Sequence, residues 1–340
     1  MRKNKTKLLW FIKGNLGDCI LSCYSLLRVN ADVVDITICT NKINSKLIGE
    51  LKLPFHTIEL KDSILNSLRS FSPFQIFNQF YLNSHHFFRD FDISIDSYRW
   101  RSGFALDQLF SIKHTLKFNR FNSKKYVDFN CSELVIHSQF FDLSSIPYNQ
   151  LSIFKELIEK NSKCMQVPYY DIVIHPFSSE SSRILKFELL REIIELHKNE
   201  SILLLGTPSD DRALLSRLKE ADFDNLTINI ENFNFLYLAA QLLNCKKVYG
   251  SESFIANFSS MLSIETVGFY SGVADPRQWF LPDAMSKTIR VDVPCSPCFN
   301  KIKCSHECLD FNLEILSIQN ESFRDLRSIK LDKISIIPRG

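Results

Sequence analysis

The sequence predicts an α/β protein made of two doubly wound units with parallel sheets, and three observations carry that reading. Short apolar, β-rich runs alternate with helical patterns along most of the 340 residues, and such alternation implies parallel strands covered by helices. The alternation pauses over 144–166, which holds Pro147 and a helix at 150–160, and restarts at Tyr170. Over 250–279 two polar loops follow two strands in quick succession. In open α/β sheets the loops at the carboxyl ends of strands hold ligands.

Each element follows from its local pattern. Residues 8–12 are an apolar strand, and 18–28 a helix with Ile20, Leu21, Tyr24 and Leu27 at helical spacing. A strand at 33–39, a helix at 46–53 and strands at 56–60, 93–96 and 115–118 complete the first unit, while 134–140 fits either state. The second unit reads as strand 170–175, helix 186–197, strand 201–205, helix 209–220 and strand 226–228. Helix 233–243, strand 247–249, helix 254–262 and strand 266–270 follow, then a helix at 312–327 and an irregular tail. The expected domains are 1–165, 166–318 and a tail at 319–340, without internal repeats or low-complexity tracts.

Composition narrows the function. With 45% hydrophobic and 23% charged residues the chain is an ordinary globular protein. A net charge of +3 is too small for a nucleic-acid binder. Arg2, Lys3, Lys5 and Lys7 form a basic start. That cluster is either a solvated strand entry or a peripheral membrane contact of about 1 kcal/mol per charge. The apolar run at 8–12 is too short for a secretory signal, and Ser, Asn, Gln, Pro and His break the uncharged stretch 70–88, so it cannot span a bilayer. Ten cysteines without an export signal indicate a reducing compartment. The expected location is the cytoplasm, with the inner face of the membrane as a working surface. Only nine glycines are present, so each is a strong candidate for a turn that needs positive φ.

Four segments carry chemistry. The first strand runs into Lys13-Gly14-Asn15-Leu16-Gly17-Asp18. This is not the G-x-G-x-x-G dinucleotide fingerprint, and no acidic residue ends the next strand. Gly14, Gly17 and Asp18 thus form either a ligand turn or a tight connection with an Asp cap. Residues 172–190, IVIHPFSSESSRILKFELL, place Ser178, Ser179 and Arg183 between a strand and a helix. They read as a phosphate loop or as an ordinary loop with an N-cap. Residues 250–279, GSESFIANFSSMLSIETVGFYSGVADPRQW, place Glu252, Ser253, Phe254 and Asn257 at a helix start, where backbone N–H groups meet anions. Cys295, Cys298, Cys304 and Cys308, in CSPCFNKIKCSHEC, have the spacing of a tetrahedral metal site, zinc by default and iron as an alternative. Four reduced thiols lining a loop are the other reading.

These segments resemble the bacterial heptosyltransferase family, glycosyltransferase family 9, over about residues 8–318. GNLGDCILS looks like the family's opening Gly-Asp turn, 172–190 its small-hydroxyl loop with a basic residue, and 272–279 its Gly-x-x-Asp-Pro-x-x-Trp. The resemblance implies a GT-B fold, two Rossmann-like domains facing a central cleft. It implies an inverting, metal-independent transfer of a sugar, a heptose from an ADP-linked donor, to a hydroxyl of a lipopolysaccharide core or related surface glycan. Asp18 would be the general base. Arg183, Ser178, Ser179 and the backbone near Glu252 would stabilise the departing nucleoside diphosphate, with Glu231 contacting the donor. Glu252, Phe254 and Asn257 stand where the family has an Asp, a small Gly and a His. Many members carry similar late cysteines, and some relatives that modify autotransporter proteins have an iron-binding cysteine finger. The cluster therefore implies a structural metal. Two alternatives remain, a heptosyltransferase with a protein acceptor and a non-catalytic sugar-nucleotide binder.

Acceptor specificity is expected from the first unit. Tyr98, Arg99, Trp100 and Arg101 could stack on sugars and pair with anionic groups, or simply pack and be solvated. His85 and His86 lack a third ligand at metal spacing.

Overall fold

The structure, a computed structural model, describes residues 5–12, 15–60, 90–96, 111–117, 137–138, 141–142, 145–149, 151–231, 234–273, 286–291, 293–296, 298, 307–311 and 334–336. The chain divides into two compact units, Met1–Leu157 and Ile158–Gly340.

The first unit is built on a five-stranded sheet of β1 (Thr6–Phe11), β2 (Val34–Thr40), β3 (His56–Glu59), β4 (Asp90–Asp96) and β5 (Ser111–Lys117), ordered β3-β2-β1-β4-β5. All four pairings are parallel. Leu8, Leu9 and Trp10 of the central β1 are fully buried, as expected of a strand covered on both faces. Helix α1 (Leu16–Leu26) begins two residues before the sequence pattern suggested, because Asn15 and Asp18 close a capping box. Asn41 caps α2 (Lys42–Glu50) through the Asn44 N–H at 2.9 Å. The Asn44 amide donates to the Thr40 hydroxyl, which donates to the Ile12 carbonyl at 2.8 Å. The end of β2 therefore braces the end of β1.

The segment before the second unit folds back on α1. Arg28 lies 4.9 Å from the Tyr148 ring centroid, and its Nε donates to the Asn149 carbonyl. The Ser152 hydroxyl donates to the Tyr24 carbonyl, and α3 (Phe154–Ser162) brings the Phe154 ring to 5.8 Å from that of Tyr24.

The second unit holds a seven-stranded sheet ordered β12-β11-β10-β9-β6-β7-β8. Its strands are β6 (Tyr170–His175), β7 (Ile202–Gly206), β8 (Leu226–Ile230), β9 (Cys245–Ser251), β10 (Glu265–Tyr270), β11 (Lys287–Val291) and β12 (Ile334–Ile336). Counted from β6, the first six follow the 3-2-1-4-5-6 order of a Rossmann sheet. The connecting helices are α4 (Phe187–Leu196), α5 (Arg212–Glu220), α6 (Phe235–Leu243) and α7 (Phe254–Met261). Asp211 caps α5 and Asn234 caps α6, each accepting from two first-turn N–H groups. The core joins Ile172 and Ile174 of β6 to Leu189, Leu190, Ile193 and Ile194 of α4. Strand β11 had no clear sequence signal. The tail, expected to be irregular, supplies β12, which pairs antiparallel to β11. The expected helix at 312–327 lies outside the described residues.

No described glycine has a positive φ. The left-handed positions fall instead on Lys52, Ser145, Asp222 and Ser263, three of them one residue past the C-caps of α2, α5 and α7. The expectation that glycine marks such turns fails here. The carbonyls freed at the helix ends still find donors, as in Leu53 N–H to Ile48 and Ile264 N–H to Ser259.

Candidate functional site

The chain leaves β6 toward β7 on one side, and β9 lies on the other, so the carboxyl ends of β6 and β9 frame the switch point of the second sheet. At such a point the two following loops diverge and open a crevice. His175 is in register with Gly250 there. A Cβ at Gly250 would stand 3.3 Å from the Ala256 Cβ, so the missing side chain lets α7 approach the strand. The buried Ser251 hydroxyl donates to the Phe177 carbonyl at 2.6 Å and ties the two loops together.

The loop after β6 is closed by Leu185 N–H donating to the Pro176 carbonyl. Within it the 3-10 turn Ser181–Arg183 aims Arg183 at the loop after β9. Arg183 Nη1 lies 3.6 Å from Glu252 Oε1, and Glu252 is only 8% exposed. The other Glu252 oxygen accepts from the Ser271 hydroxyl at 3.3 Å. Burial raises the Glu252 carboxyl above the usual Glu range, opposed by Arg183, by the Ser271 hydrogen bond and by Arg290. Arg183 Nε, Arg290 Nε and Asn257 Oδ1 are buried without partners among the described residues. Buried donors and acceptors in that state are costly, and a polar ligand would satisfy them.

Ser253 stands at the N-cap of α7 but makes no side-chain bond to its helix. Its hydroxyl lies 3.3 Å from Nδ1 of His175 instead. Burial holds His175 down to about 4, against the opposing pull of Asp210, so the imidazole is neutral at pH 7. The first-turn N–H groups of α7 are therefore left uncapped by Ser253, beside a cation. This is the arrangement that binds anions. Phe254 is held by Phe235, edge-on at 5.8 Å, and by Phe258, stacked at 5.2 Å. Asn257 donates to the Ser253 carbonyl at 3.2 Å.

The structure thus brings together Arg183, Glu252, Ser253 and Asn257. Ser178 accepts from Glu180 N–H, and Ser179 is exposed on the same loop. Glu231 is exposed after β8, two strands from β6, about 10 Å away at ordinary strand spacing. His175, Ser271 and Arg290 were missed by sequence reading. His175 had the signal of closing a strand ahead of the Ser-rich loop. Arg290 had none, because β11 itself was not apparent.

In the first unit Gly17 and Asp18 lie in the first turn of α1, half-buried. The Asp18 Oδ2 accepts from Asn15 N–H at 2.9 Å, the bond that closes the capping box. Gly14 lies outside the described residues, as do residues 70–88, 98–101 and 275–279.

Cys298 and Cys308 are buried and Cys295 is half-buried. Cys298 N–H and the Ser296 hydroxyl both donate to the Gly272 carbonyl. A Cβ on Gly272 would stand 3.2 Å from the Cys308 Cβ. Cys304 lies outside the described residues, and among those described no group of three or more His, Cys, Asp or Glu is placed to hold a metal. Cys19, Cys23 and Cys39 are buried, whereas Cys164, in the linking stretch just before β6, is exposed. Among the described residues no helix is long and apolar enough to cross a membrane.

Two units with parallel, doubly wound sheets give the chain the fold of the GT-B glycosyltransferases. More particularly, the chain is similar to heptosyltransferases of glycosyltransferase family 9, the family its motifs resemble. A family 9 glycosyltransferase from Veillonella parvula matches with a TM-score of 0.67 at 14% identity, over 94% of this chain and 98% of that one. The E. coli heptosyltransferase WaaC with ADP matches with a TM-score of 0.66 at 13% identity, over 83% and 92%. E. coli ADP-heptose lipopolysaccharide heptosyltransferase II matches with a TM-score of 0.58 at 13% identity, over 93% and 100%. At these identities the likeness is one of fold. No family model and no curated protein matches the sequence.

Proposed function

We propose that the chain is an inverting glycosyltransferase that moves a sugar, heptose from ADP-heptose, to a hydroxyl of a lipopolysaccharide core or related surface glycan. The observation that carries this reading is the Arg183–Glu252 pair at the switch point, next to the uncapped N-terminus of α7. An arginine with an unpartnered buried Nε beside free helix N–H groups suits the two phosphates of a nucleoside diphosphate. The ADP in the WaaC structure, and the ADP-2-deoxy-2-fluoro heptose in another of that enzyme, support an ADP-linked donor.

Two sets of residues carry the proposed chemistry. Asp18 accepts the proton of the attacking hydroxyl as the new glycosidic bond forms. Its bond to Asn15 N–H fixes the carboxylate at the start of α1. As the bond from the sugar to the diphosphate breaks, negative charge grows on the leaving oxygen. Arg183, the hydroxyls of Ser178 and Ser179 and the N–H groups near Ser253 meet that charge. Preorganised donors of this kind carry much of an enzyme's rate. Glu231 and Asn257 supply polar contacts to the donor, and the anchored Phe254 ring shapes its pocket. Gly14 and Gly17, in the turn after the first strand, would let the protein backbone come close to the sugar nucleotide.

A structural zinc or iron held by Cys295, Cys298, Cys304 and Cys308 is part of the proposal. What supports it is the approach of the Cys298 backbone and the Cys308 side chain to Gly272. A thiolate-bound metal there would fix the segment that follows β10. Residence in the cytoplasm, at the inner membrane face, completes the reading.

Thermal unfolding with a panel of nucleotide sugars tests the donor. A ligand at a hundred times its dissociation constant adds about 2.7 kcal/mol. Stabilisation by ADP-sugars alone is expected. Stabilisation by UDP-, GDP- or CMP-sugars would discard the heptose, and none with any donor would sink the assignment.

A further inference from the structure

Arg290 belongs to neither loop at the switch point, yet it completes the charge of the site. It lies on β11 opposite Tyr270 of β10, in the last pair of that ladder. In the neighbouring ladder Phe269 is opposite Ser251, and Glu252 N–H continues the pairing by donating to the Phe269 carbonyl at 3.0 Å. Glu252, just past the end of β9, therefore continues a row with Tyr270 of β10 and Arg290 of β11. Residues in register across parallel strands share a face. Arg290 is only 6% exposed, and its Nε is buried without a partner among the described residues.

A buried guanidinium without a counter-charge is strongly disfavoured, and so is a buried carboxylate. The register brings the two onto one face of the sheet, on either side of Tyr270. The groups around Glu252 are Arg183 from the loop after β6, the Ser271 hydroxyl past β10 and Arg290 from β11. Tyr270 lies between them in the row, α7 contributes Asn257, and His175 reaches the site through Ser253. Arg183, 27% exposed, is the more open of the two arginines, Arg290 being only 6% exposed. We propose that Arg290 is a positioning residue: from β11 it supplies the buried counter-charge that lets Glu252 stay ionised and hold Arg183 in place. The inference rests on the reading of Arg183 as a donor-site cation.

The sign of its effect is fixed. Burial raises the Glu252 carboxyl in the folded chain, so ionising it costs stability as pH rises past the ordinary Glu range. Arg290 lessens that cost. Thermal unfolding of ligand-free wild type, Arg290→Met, Arg290→Lys and the Glu252→Gln/Arg290→Met double variant at about pH 5 and about pH 8 tests the coupling. The deficit of Arg290→Met is expected to grow by about 3 °C between the two pH values. Arg290→Lys should cancel most of that growth, and the double variant should show none. Folding of the double variant where Arg290→Met fails to fold at the higher pH would support the same coupling. A deficit equal at both pH values, or failure of both Met variants to fold at either, would overturn it, because lost packing alone behaves so. Titration with ADP separates the two ideas. Wild type that binds no ADP contradicts the donor-site reading whatever the pH result. Wild type and Arg290→Met that bind ADP equally would overturn the positioning role, for which about a tenfold loss is expected.

Discussion

The Arg183 guanidinium lies 3.6 Å from the Glu252 carboxylate, although one sits in the loop after β6 and the other in the loop after β9. The pair spans the switch point of the sheet and holds a cation beside the first turn of α7. Leu185, bonded back to Pro176, closes one loop, and Ser251, bonded to Phe177, joins it to the other. The site is thus braced by the backbone before any ligand arrives, which is what electrostatic preorganisation requires.

Asp18→Asn separates chemistry from structure. The Asn side chain keeps an oxygen for the Asn15 N–H, so α1 and the melting temperature should change little. A general base contributes about 10²–10⁴-fold. ADP release from ADP-heptose with a lipopolysaccharide acceptor should fall by that order, with ADP affinity unchanged. Equal release by the variant would remove Asp18 from the mechanism.

Lys52→Gly should stabilise the protein by about 0.5–1 kcal/mol. Lys52 holds φ of 52° one residue past the C-cap of α2, a conformation that costs an L-residue with a Cβ about 1–2 kcal/mol. Part of the gain is offset by the looser unfolded chain. Chemical denaturation of the variant measures the difference, and a destabilised variant would refute the strain argument.

Asp171 gives acid-dependent stability. The Lys246 ammonium, then the Ser201 N–H and hydroxyl, hold its carboxyl far below the usual carboxylate range. A group with a depressed folded-state value adds stability above its unfolded value, near pH 4, and loses it as pH falls through the lower folded value. Asp171→Asn should therefore melt lower than wild type at neutral pH. The gap should narrow as pH falls below the ordinary carboxylate range and close only on reaching the depressed folded-state value. A gap that persists in strong acid would mean the residue acts by packing.

Gly272→Ala tests the cysteine segment. A new methyl would press on Val293, Cys308 and Ser296, all within 3.1–3.4 Å, and such overpacking costs about 1–3 kcal/mol. If the four cysteines hold a metal, elemental analysis of the wild type should find about one zinc or iron per chain. A metal-free wild type would leave the cluster as packed thiols.

Much of this architecture was legible in the chain. The strand at 170–175 appears with those bounds, and β6, β7, β9 and α7 could be read because buried parallel strands and amphipathic helices leave strong periodic marks. The loops after β6 and β9 pointed to Arg183, Glu252, Ser253 and Asn257 before any contact was known. What escaped was non-local. The Ser271 bond to Glu252 joins two strands, and Arg290 lies on β11, where Lys287 and Arg290 mask a short apolar run. Strand β12 exists through its pairing with β11 rather than through its own composition. The glycine argument failed for a physical reason. The ends of α2 and α7 tolerate Lys52 and Ser263 in the left-handed region because the Ile48 and Ser259 carbonyls are bonded onward to Leu53 and Ile264 N–H.

Calorimetric titration of ADP into wild type and Arg183→Met tests the central claim most directly. If the switch point of the second unit is a nucleotide-sugar site, wild type binds ADP, and the variant loses at least about tenfold in affinity, roughly 1.4 kcal/mol. Absence of ADP binding by wild type, or equal affinity of the two proteins, would contradict it.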